Sequence, residues 1–185
     1  MQTIADRIRH IPAVSEPLSA DVFIIEGDAR YYVYDAGASE AACEAIAALD
    51  KPVTVILSHF HRDHIANLSR LAPDQILAGA RTVKYIAGGT LVDAPLTIRD
   101  GITLEILPCV SPHAPGSLIV TVDSQYTFIG DLIYARPGTG QGEAKGMLRM
   151  LKSLQTQVFV PSHRAGNPLV EKAVLLKEIK EAYQI

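Results

Sequence analysis

The sequence predicts one domain of the α/β (α+β) class, spanning residues 1–185. Apolar, β-branched runs alternate with segments in which apolar residues recur at helical spacing. The length of 185 residues allows one complete hydrophobic core. The hydrophobic fraction of 48% and the charged fraction of 20% are ordinary values for globular proteins.

The first predicted elements are a β-hairpin and a helix. Residues 21–26 and 31–35 are two apolar runs joined by a short turn, which is the pattern of a hairpin. The Ala-rich stretch 39–49 is predicted as a helix, with Ser39 as its N-cap and acidic residues near its start.

The rest of the chain continues the alternation. Strands are predicted at residues 53–58, 75–78, 102–107, 118–122, 126–130 and 158–160. Helices are predicted at residues 65–71, 147–154 and 170–179, and in the last two the apolar spacing indicates a face packed on the core. Residues 82–87 remain ambiguous between helix and strand.

The densest chemical signal is the stretch 58–64, which reads Ser-His-Phe-His-Arg-Asp-His. It holds three of the six histidines of the chain and one carboxylate, directly after a predicted buried strand. Imidazole nitrogen and carboxylate oxygen are ligands for zinc, iron and manganese. The stretch therefore predicts a metal site in the loop that follows the strand.

Other candidate ligands also lie where an apolar run meets a turn. His113 precedes the predicted strand 118–122, Asp131 follows the run 126–130, and His163 follows the run 158–160. Asp35 ends the second strand of the hairpin. His10 is the one histidine outside this pattern, and we expect it at the surface.

The order and spacing of these residues resemble the metallo-β-lactamase-fold hydrolases, from Asp35 to His163. The resemblance implies a four-layer αββα sandwich with a dinuclear metal site at one edge. It implies that one metal is held by His59, His61 and His113, that the second is held by Asp63, His64 and His163, and that Asp131 bridges both. Asp35 would then orient the motif loop from behind the ligands.

The resemblance also suggests two catalytic residues. Asp63 would pass a proton to the leaving group in addition to binding metal. Tyr134, three residues after Asp131, corresponds to a tyrosine that helps to stabilise the oxyanion in some lactone-cleaving members. The alternative for Tyr134 is a side chain packed against the sheet edge.

The remaining features bound the location and partners of the protein. A net charge of −3 argues against a broad basic surface for nucleic acid. Because no stretch has the length of a signal peptide core or membrane span, we expect a cytoplasmic protein that does not bind membranes. Cys43 and Cys109 are expected to be small buried hydrophobes. The sequence leaves the oligomeric state open.

The glycine-rich loop 136–142 lacks the Gly-Lys-Ser/Thr continuation of a P-loop. We expect it to be a mobile loop beside the metal site. Arg136 is then a candidate contact for an anionic substrate, and a solvated loop arginine is the alternative.

The predicted function is a metal-dependent hydrolase that uses a hydroxide bound by two divalent ions, zinc first, with iron or manganese as alternatives. The expected substrate is a small ester, lactone or thioester. One alternative is a mononuclear-iron oxidoreductase similar to persulfide dioxygenases. A second alternative is a non-catalytic metal-binding module.

Overall fold

Two β-sheets pack face to face, and helices cover the outer face of each sheet. The computed structural model describes residues 1–134 and 140–185. The strands of the first sheet are β1 Gln2–Ala5, β2 Ile8–Ile11, β5 Val22–Glu26, β6 Tyr31–Tyr34, β7 Val53–Leu57, β8 Gln75–Ala78 and β9 Thr90–Leu91. They are ordered β1-β2-β5-β6-β7-β8-β9. A separate small hairpin consists of β3 Val14–Ser15 and β4 Leu18–Ser19.

The second sheet contains six strands. These are β10 Leu96–Arg99, β11 Thr103–Cys109, β12 Ser117–Val122, β13 Tyr126–Gly130, β14 Val158–Pro161 and β15 Val170–Glu171, in that order across the sheet. The helices are α1 Glu40–Ala47, α2 Arg62–Ile65, α3 Gln141–Ser153 and α4 Lys172–Tyr183. Two 3₁₀ turns lie at Ala66–Ser69 and Thr82–Lys84.

The alternation of side chains along each strand builds the layers. On β5, Phe23 and Ile25 point into the core between the sheets, whereas Val22 and Ile24 point toward the outer helix layer. Phe128 on β13 packs against Phe23 from the opposite sheet, with ring centroids 4.9 Å apart. Helix α1 covers the first sheet, and α3 and α4 cover the second. This arrangement confirms the predicted αββα sandwich.

Most local predictions agree with the structure. The hairpin is β5 and β6, which pair antiparallel, and the side chain of Ser39 caps α1 by accepting a hydrogen bond from Ala42 N. Cys43 and Cys109 are buried free thiols, as predicted. Within residues 1–134 and 140–185, no helix has the length and apolar character of a membrane span.

Several features differ from the predictions. The segment 65–71, predicted as a helix, contains the last residue of α2 and the 3₁₀ turn Ala66–Ser69. Residues 2–19 form four strands that the sequence did not indicate. The apolar residues of the predicted helix 170–179 do not all face the core: Val174 is exposed, and the buried face of α4 is Leu175, Ile179 and Tyr183. The expectation that His10 lies at the surface is wrong. His10 is 1% exposed on β2, because Gln2 of β1, Asp21 and the ring of Phe23 contact its side chain.

The two sheets approach each other most closely at one edge. The amide of Leu118 donates to the carbonyl of Ser58 across the sheets at 2.8 Å, and Tyr34 Oη donates to Leu118 O at 2.9 Å. Beside them, a Cβ at Gly79 would lie 2.0 Å from the carbonyl oxygen of Gly116. Only glycine permits this approach. The loops at this edge of both sheets are thereby held together.

Candidate metal centre

The predicted ligands converge because their strands end at the same edge. Strands β6 and β7 are parallel to each other, as are β13 and β14, so each pair directs its carboxyl ends the same way. Asp35 and His59 follow the first pair, and Asp131 and His163 follow the second. His113 precedes β12, which runs antiparallel to β13 and therefore begins where β13 ends.

The first group of donors consists of His59, His61, His113 and Asp131, whose candidate ligand atoms all lie within 4.8 Å of one another. His61 Nδ1 lies 2.7 Å from His59 Nε2 and 3.2 Å from His113 Nε2. Asp131 Oδ2 lies 3.3 Å from His113 Nε2 and 3.9 Å from His59 Nε2. Three imidazoles and one carboxylate oxygen thus face a common point.

The second group consists of Asp63, His64 and His163, also within 4.8 Å. Asp63 Oδ2 lies 3.0 Å from His163 Nε2 and 3.6 Å from His64 Nε2. The other oxygen of Asp131, Oδ1, faces this group at 3.4 Å from His64 Nε2 and 3.8 Å from His163 Nε2. Asp131 therefore presents one oxygen to each group. This is the division that the resemblance implies.

Hydrogen bonds from behind fix three of the imidazole rings. His64 Nδ1 lies 2.7 Å from Asp35 Oδ2, and His113 Nδ1 lies 2.9 Å from the carbonyl of Tyr134. His59 Nδ1 lies 2.9 Å from Ser58 Oγ, which in turn donates to Asp35 Oδ2 at 2.7 Å. In a neutral ring, such a partner places the proton on the nitrogen that faces it, so that the opposite nitrogen can present its lone pair to a metal.

The charge state of the cluster follows from burial and from neighbouring groups. Burial, together with the nearby His64, lowers the pKa of His59 far below its ordinary value, so this ring is neutral. Burial also opposes protonation of His64, but Asp35 and Asp131 outweigh it and raise its pKa to about 10. Burial alone would raise the pKa of Asp131, yet the imidazoles of His113 and His64 hold it well below its usual range.

The donor set fits a divalent cation. His64 Nε2 and Asp131 Oδ1 are buried and have no hydrogen-bond partner among the residues that the structure describes. Buried polar atoms without a partner are costly, and a cation between them would satisfy both. Neighbouring donors around tetrahedral zinc are about 3.4 Å apart, given bond lengths of 2.0–2.2 Å. The separations of 3.0–3.6 Å from Asp63 Oδ2 are of this size, and those given for the first group lie around it, from 2.7 to 3.9 Å.

The hydroxyl of Tyr134 is hydrogen-bonded to the backbone beside the site. Its hydroxyl donates to the carbonyl of Ser162 at 2.9 Å, and its ring lies 6.3 Å from that of His163. Burial, with Asp131 nearby, raises the pKa of Tyr134 to about 12. The side chain is therefore a protonated group at the rim of the second donor group. Arg136, the candidate contact for an anion, lies outside the described residues, as does most of the glycine-rich loop that follows it.

Sequence reasoning missed three features of the site. Ser58 joins Asp35, His59 and His64 through one hydroxyl, and its position just before the motif was the available signal. Phe60 stacks on Tyr85 beside His61, with ring centroids 4.7 Å apart. Asp21, from the start of β5, contacts the backbone of His163, and no local pattern indicated that contact.

A model of the metallo-beta-lactamase superfamily matches residues 15–163. The chain therefore belongs to this superfamily, and its histidine motif and candidate ligands fall within the matched range. No curated protein sequence matches the chain.

Solved structures share the fold at low sequence identity. A motif-substituted metallo-beta-lactamase from Cronobacter sakazakii has a TM-score of 0.78 and 15% identity, and the match covers 99% of this chain and 93% of that chain. An archaeal metallo-beta-lactamase superfamily protein from Sulfolobus tokodaii has a TM-score of 0.69 and 20% identity, covering 94% and 85%. A flavo di-iron protein variant from Thermotoga maritima has a TM-score of 0.70 and 12% identity, covering 95% and 62%. These similarities show the fold.

Proposed function

We propose that the protein is a hydrolase that holds two divalent metal ions, zinc first, and cleaves a small ester, lactone or thioester. The observation that carries the proposal is the position of Asp131 between the two donor groups, with Oδ2 facing one and the unpartnered Oδ1 facing the other. A single carboxylate shared in this way is suited to bridge two cations.

Each donor group would bind one of the two ions. His59, His61 and His113 would hold one ion, and Asp63, His64 and His163 would hold the second, with Asp131 common to both. When bound, two such ions supply Lewis acidity toward a carbonyl oxygen and lower the pKa of a shared water toward about 7.

Proton transfer is assigned to Asp63. Burial opposes ionisation of this carboxyl, but the hydrogen bond with His163 outweighs it and lowers the pKa of Asp63. The carboxylate is therefore ionised at neutral pH and able to accept a proton from the attacking water. It would then deliver that proton to the alkoxide or thiolate that leaves.

The surroundings of the first donor group support a small acyl substrate. The ring of Phe60 lies 5.1 Å from that of His61 and stacks on Tyr85, which is 51% exposed. The guanidinium of Arg81 lies over both rings at 5.8 and 5.6 Å. The two rings offer apolar area beside the ligands, suited to a small acyl group whose carbonyl turns toward them, and the guanidinium adds a positive edge that can face a polar oxygen.

Metal content per chain is the first test. Protein purified without added metal or chelator should contain about two zinc ions per chain by elemental analysis. It should also hydrolyse at least one member of a panel of lactones, esters and thioesters. About one iron per chain with little zinc would contradict the proposal. That result would favour the mononuclear-iron oxidoreductase, for which oxygen uptake with glutathione persulfide is the matching assay.

Two variants test the assignment of ligands. Asp131→Asn and His61→Ala should each lose hydrolysis by roughly 100-fold or more while the chain remains folded, because each removes a ligand to the reacting centre. Asp93→Asn is the matched control, since Asp93 is exposed and lies outside both donor groups. Full activity in either ligand variant would overturn the dinuclear proposal.

A further inference from the structure

A buried histidine–aspartate pair lies outside the two donor groups. His10 and Asp21 are 1% and 2% exposed, and His10 Nε2 contacts Asp21 Oδ1. The ring of His10 stacks on Phe23 at 4.8 Å. Gln2 Nε2 donates to His10 Nδ1 at 3.0 Å, so the ring proton lies on Nε2 and faces the carboxylate.

The second oxygen of Asp21 connects this pair to the metal edge. Asp21 Oδ2 accepts hydrogen bonds from the amide of His163 at 2.6 Å and from Ser162 Oγ at 3.3 Å. The amide of Asp21 donates back to Ser162 Oγ at 3.1 Å. Meanwhile Oδ1 accepts from the amide of Ala13 at 3.0 Å. The carboxylate is thus fully hydrogen-bonded, and it links the first sheet to the end of β14 in the second.

The residue held by this contact has an unusual backbone. His163 has φ = +57°, in the left-handed region that an L side chain rarely adopts without compensation. In this conformation its Nε2 lies 3.0 Å from Asp63 Oδ2 within the second donor group. A hydrogen bond to an ionised acceptor is stronger than one to a neutral acceptor, and here it acts on the amide of the strained residue itself.

We propose that Asp21, backed by His10, is a positioning residue that holds His163 in its left-handed conformation and so aims the imidazole at the second donor group. This inference rests on the proposed function, because that group is assigned to the second metal ion. In the described part of the chain, Asp21 touches no candidate ligand atom and acts through the amide of His163 and the hydroxyl of the preceding residue, Ser162.

Amide exchange in metal-free protein tests the positioning independently of metal binding. In Asp21→Ala, the amide of His163 should exchange roughly 10- to 100-fold faster than in the unmodified chain, since it loses a hydrogen bond to a charged group. His10→Phe keeps the stacking area but removes the donor to Asp21, and should change exchange in the same direction. Thr121→Val is the matched control, because it breaks the buried 2.9 Å hydrogen bond between the hydroxyls of Thr121 and Thr127, which lie in the second sheet outside both donor groups.

Zinc titration against a chromophoric chelator tests the consequence. In Asp21→Ala, and more weakly in His10→Phe, one of the two zinc affinities should fall roughly 10- to 100-fold while the other is unchanged. Thr121→Val should change neither. Unchanged His163 exchange, or equal loss of both zinc affinities, would overturn the inference. Unmodified protein that binds fewer than two zinc ions would instead refute the proposed function, and the exchange result would still decide whether Asp21 positions His163.

Discussion

Replacing Asp35 by asparagine replaces one carboxylate oxygen by an NH₂ group in a fully buried part of the site. Asp35 is 0% exposed. Its Oδ1 accepts from the amide of Ser58 at 2.7 Å, and its Oδ2 lies 2.7 Å from both Ser58 Oγ and His64 Nδ1. In Asp35→Asn, with the new amide nitrogen in the place of Oδ2, His64 Nδ1 must accept a hydrogen bond, so the single proton of the neutral, metal-binding form of the ring moves to Nε2.

This tautomer removes a metal donor. His64 Nε2 is the nitrogen that faces Asp131 Oδ1 at 3.4 Å. The opposite rotamer of the new side-chain amide does not restore the original hydrogen bonds. It places the NH₂ group against the backbone amide of Ser58, so that two donors face each other. A lost hydrogen bond to a charged group is worth about 1.5–3 kcal/mol. On that scale the affinity for the proposed second metal ion should fall roughly 10- to 100-fold.

The assay is a zinc competition titration on Asp35→Asn, with urea unfolding of the metal-free protein in parallel. We expect weakened binding of one zinc ion in a variant that still unfolds cooperatively. Asp93→Asn again serves as the control for an exposed aspartate. Two zinc affinities equal to those of the unmodified chain, in folded Asp35→Asn, would refute the role of Asp35 in setting the tautomer of His64.

Three further predictions follow from other parts of the structure. His64 has a pKa of about 10 in the folded metal-free protein, against 6.5 ordinarily, so its protonation stabilises the fold fully below pH 6.5, and this stabilisation is lost as pH rises toward 10. Urea unfolding of metal-free protein across this pH range measures the change in the free energy of unfolding. A free energy that does not vary with pH would contradict the prediction. Gly79→Ala should destabilise the fold by about 2 kcal/mol or more because its Cβ would overlap Gly116 O, whereas Gly146→Ala inside α3 should stabilise it by about 0.5–1 kcal/mol in the same unfolding assay. Tyr134→Phe removes the hydroxyl that donates to Ser162 O, one residue before His163, and should therefore lower turnover on lactones more than it weakens their binding; an unchanged kcat would leave Tyr134 with a packing role only.

Local sequence signals predicted much of the fold. Residues close in sequence determine the hairpin of β5 and β6, the strand β7 and the cap at Ser39. The local sequence pattern was therefore sufficient to predict them. The sequence pattern did not predict the four strands within residues 2–19. They are short, and their pairing depends on the hairpin that follows them, so burial rather than local composition decides their structure.

His10 illustrates the same limit. A single histidine among mixed residues has the composition of a surface position, yet His10 is buried on β2, which pairs with β1 on one side and β5 on the other. Its partner Asp21 is 11 positions away in sequence, and the residue that Asp21 holds, His163, is 142 positions from Asp21. No periodicity or spacing relates such positions.

By itself, the sequence determined which side chains are available for metal chemistry and that they stand at the ends of strands, because strand composition and the clustering of histidines are local properties. Only the tertiary structure decided how they are grouped. His61 and His113, 52 positions apart, meet because β12 begins at the edge where β7 ends. The two oxygens of Asp131 face different groups because the two sheets close on that edge, and that closure depends on packing across the whole core.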